Sequence, residues 1–348
     1  MQCKFVVHFV SVTSINHLHE RGQRRQGREC QAGPLRWPSR QLPLSVGQRP
    51  AGTCQPQPEG TRSRLGAIRG EHIVAVGSSK EVIALAGRET RRIDLGGRTV
   101  ISGVNDAHDH LDAGPDSYDL PIKSNDPNWQ EIKDALSSAM AKVPRGAWIT
   151  GTFGATVLDD PPATRTVLDE LAPDHCVWLR TWTGHASLLN TAALRKLGVR
   201  EDEPNPEGGM YVRNQADGKL TGMAFEFAKF RIDRRLSELA TEQQTAKQLQ
   251  DFFEDAARLG ITTVQDMASP ISAQRSVSLF EKIPPPIRVR VIWFGLTDEH
   301  GRLAQEGRGL PRHPALLVTA SGTKWILAGT PIEHSAAMRR PYSDRPRY

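Results

Sequence analysis

Two histidines, His108 and His110, stand two residues apart at the close of Thr99-Val-Ile-Ser-Gly-Val-Asn-Asp-Ala-His-Asp-His-Leu. The run reads as the end of a strand. In an extended backbone the side chains alternate, so residues i and i+2 point to the same side. Two neutral imidazoles placed that way suit a divalent transition metal at roughly 2.0–2.1 Å. Two solvated histidines at a strand end would share the spacing, so the pair alone does not separate the readings. Position favours the metal, because barrel enzymes gather their chemistry at the carboxyl ends of strands. Asp106 and Asp109 flank the pair and could accept from the imidazole N–H groups, fixing the rings. His72, His175, His300, His313 and His334 stand in no pattern and read as surface residues.

The elements that must position this pair follow from local signals. Glu71–Val76 reads as a strand stopped by Gly77. Arg91–Leu95 and Arg98–Ile101 read as a hairpin turning at Gly96-Gly97. Asp126 is placed as N-cap and Pro127 as the first residue of a helix whose apolar stripe is Trp129, Ile132, Leu136, Met140 and Val143. Strands are predicted over 147–153 and 176–182, helices over 165–171 and 191–197, and a hairpin over 210–224. Thr241 with Gln244 makes a capping box for a long helix that Gly260 ends. Strand 261–267, helix 273–283, strand 287–296 and strand 323–327 follow. The later strands read as continuous apolar runs alternating with helices, which predicts an α/β fold with a parallel sheet buried on both faces.

The net charge of +6 over 348 residues invites a nucleic-acid reading. Location removes it. Residues 1–64 hold ten Lys+Arg and three Glu, a net of +7, so residues 65–348 carry 35 basic and 36 acidic residues, a net of −1. Three of the four cysteines, Cys3, Cys30 and Cys54, lie in that head; Cys176 is the fourth. No CxxC pair occurs, which excludes a cysteine zinc finger, and the pattern suits a reducing compartment or indifference to redox. No run approaches the ~18 apolar residues of a membrane span. The head is rich in Arg, Gln, Pro, Gly and Ser and predicts a disordered basic segment. A targeting peptide around Phe5–Val12 and a nucleic-acid tail are weaker readings of it, and a start that is not native protein sequence explains the abrupt compositional change best.

Beyond the histidine pair, the chain resembles a known family. HIVAVG (72–77), IDLGGRTVISG (93–103) and NDAHDHL (105–111) resemble the opening of the amidohydrolase superfamily, in particular the YtcJ-like amidohydrolase family 3, which includes N-substituted formamide deformylases. WLRTWTGHASLLNTAALRKLGV (178–199), GKLTGMAFE (218–226), LGITTVQDM (259–267) and SGTKWILAGTPIEHSAAMRRPYSD (321–344) are similar to later family segments in the same order. The resemblance covers about residues 65–345 and implies a metal-dependent hydrolase on a (β/α)₈ barrel behind a small N-terminal β-structure. It divides the chain into the head 1–64, a partial small β-domain 65–104, and barrel sequence with an insertion over 105–348. By resemblance His108 and His110 match metal ligands on the first barrel strand. Lys324 matches the fourth-strand lysine that many members carboxylate to bridge two metals, although a lysine whose stem lines a strand end would look the same. His185 and Glu226 match family positions that line the site. The implied cofactor is a divalent metal, zinc by default, as one or two ions. The implied reaction is attack of metal-bound hydroxide on an amide, formamide or cyclic amide, with an aspartate of the last strand carrying the proton. A small-molecule substrate and a cytoplasmic location are expected, export being the alternative; nucleic acid and membrane are not expected as partners, and a homo-oligomer is left open.

The chain also departs from the pattern. Ala328 stands where the family usually has aspartate, and nothing matches the histidines of strands five and six or the aspartate of strand eight. The sequence therefore reads as the first half of such an enzyme, ending after strand four. A half barrel would expose two sheet edges, bind metal weakly and turn over little. A non-catalytic remnant is the alternative to an enzyme.

Overall fold

A computed structural model describes residues 5–10, 64–70, 72–95, 100–304 and 307–344. The chain divides into two compact units, Met1–Gly103 and Val104–Tyr348. In the first, β1 (Phe5–Val10), β2 (Arg64–Arg69), β3 (His72–Ser78) and β4 (Arg91–Ile93) form one sheet in the order β3-β2-β1-β4. β1 runs antiparallel to β2 and parallel to β4. A short helix, α1 (Ser79–Ile83), follows β3 behind a capping box of Ser78 and Glu81. Seven residues of the head, Phe5–Val10 and Arg64, are thus strand, against the disorder expected; the remainder of 1–63 lies outside the described residues, as do Gly96 and Gly97. Val100 and Ile101 are not in a strand, so among the described residues β4 has no hairpin partner after it.

The second unit holds two sheets. One orders β14 (Val318–Lys324), β13 (Arg288–Phe294), β12 (Ile261–Met267) and β5 (Val104–Asp109), all parallel. The other orders β10 (Gly209–Arg213), β11 (Leu220–Glu226), β9 (Ala186–Leu189), β8 (Cys176–Thr181), β7 (Trp148–Phe153) and β6 (Ser117–Asp119). Its chain is inserted between β5 and β12, with helices α2 (Trp129–Ala139), α3 (Arg165–Leu171), α4 (Thr191–Lys196), α5 (Phe227–Leu239) and α6 (Glu242–Arg258); α7 (Ala273–Lys282) lies between β12 and β13.

The parallel sheet is covered on one side. Val264, Val289 and Val291 pack with Leu249, Phe253 and Phe280 of α6 and α7. The alternate residues make a polar ladder on the other side. Gln265 Nε2 donates to Asn105 Oδ1 at 3.2 Å, and Arg290 Nε donates to Ser321 Oγ at 3.1 Å. Burial on both faces, expected from the apolar runs, is therefore corrected: β12 and β13 alternate, and β14 is largely polar. β14 also lies earlier than the predicted 323–327. Lys324 is its last residue rather than lying near its start. Among the described residues the edges β5 and β14 are unpaired on their outer sides.

Helix α2 starts later than expected. Asn128, not Asp126, is the N-cap, closed by a reciprocal box with Glu131. The helix's buried face is Trp129, Ile132, Leu136 and Ala139. His175, expected on the surface, is buried and donates Nε2–H to the Val143 carbonyl at 3.2 Å. His334 is also partly covered, paired with Asp344 at 2.8 Å. No helix among the described residues is long and apolar enough to cross a membrane.

Candidate active site

The carboxyl ends of the parallel strands β5 and β14 carry His108, Asp109, His110 and Lys324. Parallel register sets Asp109 of β5 beside Asp266 of β12, and Phe294 of β13 beside Lys324 of β14. His110 follows directly on β5. The imidazoles of His108 and His110 meet edge to face, ring centres 4.9 Å apart, with their Nε2 atoms 3.2 Å from each other. His110 Nδ1 lies against the main-chain carbonyl of Met267, the last residue of β12. A carbonyl only accepts, so Nδ1 carries the proton and Nε2 presents its lone pair toward His108. Partial burial, together with the neighbouring His108 and Lys324, holds His110 below the ordinary imidazole value, although the Met267 carbonyl opposes this.

The flanking carboxylates do not touch the rings. Asp106 Oδ1 accepts the His108 main-chain N–H at 3.0 Å, and Asp109 Oδ1 accepts that of His110 at 2.8 Å. They shape the backbone turn, and the ring-orienting contact comes from a carbonyl that sequence patterns do not mark. Burial raises Asp109, and its Oδ2 has no partner among the described residues. Asp266 was likewise not anticipated. It is 1% exposed, accepts the Leu111 N–H at 3.0 Å, and burial pushes its carboxyl up to about 8.

His108, His110 and Lys324 line one cavity of about 460 Å³ together with His185. Two ion pairs complete its wall: Arg180 with Asp112 at 3.0 Å, and Lys229 with Asp233. Trp182 stands at its rim. Glu226 does not line this cavity. It lies behind His185, accepting Nδ1–H at 2.7 Å, and lines a second cavity of about 760 Å³. That cavity is walled by Leu158, Ala163, Val212, Met223 and Phe225, and Ile326 borders both spaces.

The His108–His110 geometry fits a shared cation. Two ligands at ~2.05 Å with a tetrahedral angle have nitrogens roughly 3.3 Å apart, close to the 3.2 Å here. A carbonyl on Nδ1 is the partner that metal-ligating imidazoles ordinarily have. Among the described residues no group of three or more His, Cys, Asp and Glu side chains converges as a complete ligand set.

Comparison with known proteins places these observations. The family model described as the amidohydrolase family matches residues 91–347. The N-substituted formamide deformylase of Arthrobacter pascens is 33% identical over 169 residues, 46% of this chain and 30% of that protein. The YtcJ protein of Bacillus subtilis (strain 168) is 29% identical over 175 residues, 49% of this chain and 33% of that one. These matches span about a third of each relative's own length. The crystal structure of an uncharacterized metal-dependent hydrolase from Pyrococcus horikoshii OT3 superimposes with a TM-score of 0.52 at 20% identity, over 82% of this chain and 55% of that chain.

Proposed function

The chain belongs to the amidohydrolase family, and from that premise we propose that it serves the hydrolysis of a non-peptide C–N bond, in an amide, formamide or cyclic amide, at the cavity lined by His108 and His110. The observation that carries this reading is the 3.2 Å approach of the two Nε2 atoms, with His110 locked in the tautomer a ligand needs. His108 and His110 would hold a divalent cation, zinc by default. Lys324 stands on the same wall, where a neutral or carboxylated amine would join them. When bound, such a cation supplies Lewis acidity and acidifies water. The chain's own residues do the rest. Arg180, Lys229 and their carboxylate partners fix polar groups of the substrate. The apolar cavity beyond His185 and Ile326 has room for an apolar substituent, in keeping with the formamide relative's name. The four parallel strands are proposed as one part of a (β/α)₈ barrel, with β5 as its first strand and β14 as its fourth.

A second reading follows from the incomplete ligand set among the described residues: a non-catalytic relative that kept the fold. One experiment separates the two. The full chain is purified with zinc or manganese, its metal content is measured, and it is assayed on N-substituted formamides and simple amides. Retained metal with turnover, both lost in His108→Ala/His110→Ala, supports the enzyme. Retained metal that the double variant leaves unchanged would end the reading.

A further inference from the structure

The carboxylate of Glu226 is engaged on every side. Oε2 accepts from His185 Nδ1 at 2.7 Å, and Oε1 accepts from Ser335 Oγ at 2.5 Å and from the Thr330 N–H at 3.1 Å. The residue is 4% exposed. All three neighbours donate, so the group is held as an anion. Its backbone has φ of 49°, a conformation that a non-glycine residue keeps only where the surroundings enforce it. The segment 329–335 closes over the same carboxylate. At Gly329 any Cβ would stand 2.5 Å from Glu226 Oε1, so glycine alone fits beneath it.

This cradle fixes His185. A carboxylate on one ring nitrogen sets the Nδ1–H tautomer and leaves the Nε2 lone pair on the opposite side of the ring. His185 lines the polar cavity, and Nε2 has no partner among the described residues. His175 offers the contrast: a buried imidazole that donates to a carbonyl, with no carboxylate and no cavity. His185 also stands apart from any convergent ligand set among the described residues, which separates it from the His108–His110 pair.

We propose that His185 is a proton-transfer residue of this cavity, oriented by Glu226, and that Ser335 and Thr330 are positioning residues acting through Glu226. The proposal rests on the hydrolytic reading above. Nε2 takes one proton from water as the water oxygen bonds to the carbonyl carbon. The resulting imidazolium returns a proton to the leaving nitrogen as the C–N bond breaks. Acid and amine depart, His185 regains its starting tautomer, and Glu226 stays charged throughout.

The test uses the full chain stripped of metal by chelator, with 4-nitrophenyl acetate as the probe. Its ester is labile enough for a histidine base alone. His185→Gln is expected to lower the hydrolysis rate by about tenfold or more, and Glu226→Gln by about three- to tenfold, since an oriented base contributes at least that. Ser335→Ala should fall between wild type and Glu226→Gln. Circular dichroism verifies folding of each variant. The wild-type chain gives an independent reading through carbethoxylation with diethyl pyrocarbonate and peptide mass spectrometry, where His185 should react at least as fast as the exposed His300. A rate unchanged in folded His185→Gln, or an unreactive His185 in the wild type, overturns the proposal. Loss of zinc from His185→Gln also overturns it, by making His185 a ligand. Metal content of His108→Ala/His110→Ala tests the metal reading by itself, and carbethoxylation of the metal-stripped wild-type chain tests this one by itself, so the two fail separately.

Discussion

His110 Nδ1 donates to the main-chain carbonyl of Met267, joining the end of β5 to the end of β12 across 157 positions of sequence. The contact does two things. It locks adjacent strands at their carboxyl ends, and it directs the Nε2 lone pair at His108. Removing either ring takes away half of the converging pair. Single His108→Ala and His110→Ala variants are each expected to weaken zinc binding by about 100-fold or more, beyond the 10- to 100-fold cost of losing only a ligand's supporting hydrogen bond. Competition against a chromophoric chelator measures this, and equal affinity in both variants and wild type would exclude the pair as ligands.

Asp266 gives a pH dependence with a definite sign. Its carboxyl is raised by burial from the usual 3.8 to about 8. Between those values the folded chain keeps the proton and the unfolded chain has lost it, so this group's contribution is full below about pH 4 and declines until about pH 8. Asp266→Asn keeps an acceptor for the Leu111 N–H and removes the titration. Urea unfolding at pH 5, 6.5 and 8 should show the variant gaining on wild type by roughly 1 kcal/mol per pH unit. A constant difference across the three pH values would place an ionised Asp266 in the folded chain.

Gly222, the second glycine of GKLTGMAFE, is needed for packing rather than for chemistry. Its φ is 92°, and a Cβ there would collide with the Leu189 carbonyl and Arg165. Neither neighbour is free to withdraw, because Leu189 belongs to β9 and Arg165 opens α3. Gly222→Ala is expected to cost about 3 kcal/mol or more through combined strain and overlap, read as a lower urea midpoint. The distance between β9 and β11 makes Glu226 reach His185, so metal-free esterase activity should fall with it.

Parts of the fold and of the candidate site are legible in the sequence because their signals are local. The His108–His110 spacing needs only an extended backbone, and the Thr241–Gln244 box that opens α6 is present as read. Contacts that depend on distant chain were not legible. The Met267 carbonyl carries no residue type, and the cradle of Glu226 comes from a segment more than 100 positions later. α5 has no sequence signal at its start, because it begins directly after β11 at Glu226, in a positive-φ turn with no side-chain cap. The sequence pattern puts β14 too late because Val318–Lys324 is mostly small and polar while the apolar WIL that follows it is not strand.

The start of α2 shows how a helix boundary can be tested. Asp126-Pro127 has the form of an N-cap and first turn, yet Asn128 caps the helix. Asp126 Oδ1 instead accepts the Ala155 N–H at 2.8 Å and Trp182 Nε1–H at 3.2 Å, tying the α2 entry to the cavity rim. The two residues should therefore fail differently. Asn128→Ala should cost about 1 kcal/mol, the usual value of a lost cap, and lower helical ellipticity with little change in tryptophan emission. Asp126→Ala should cost a similar ~1 kcal/mol while leaving ellipticity unchanged and shifting the emission of Trp182, which loses its acceptor at the rim. Loss of ellipticity in Asp126→Ala with none in Asn128→Ala would return the cap to Asp126 and detach Trp182 from the helix entry.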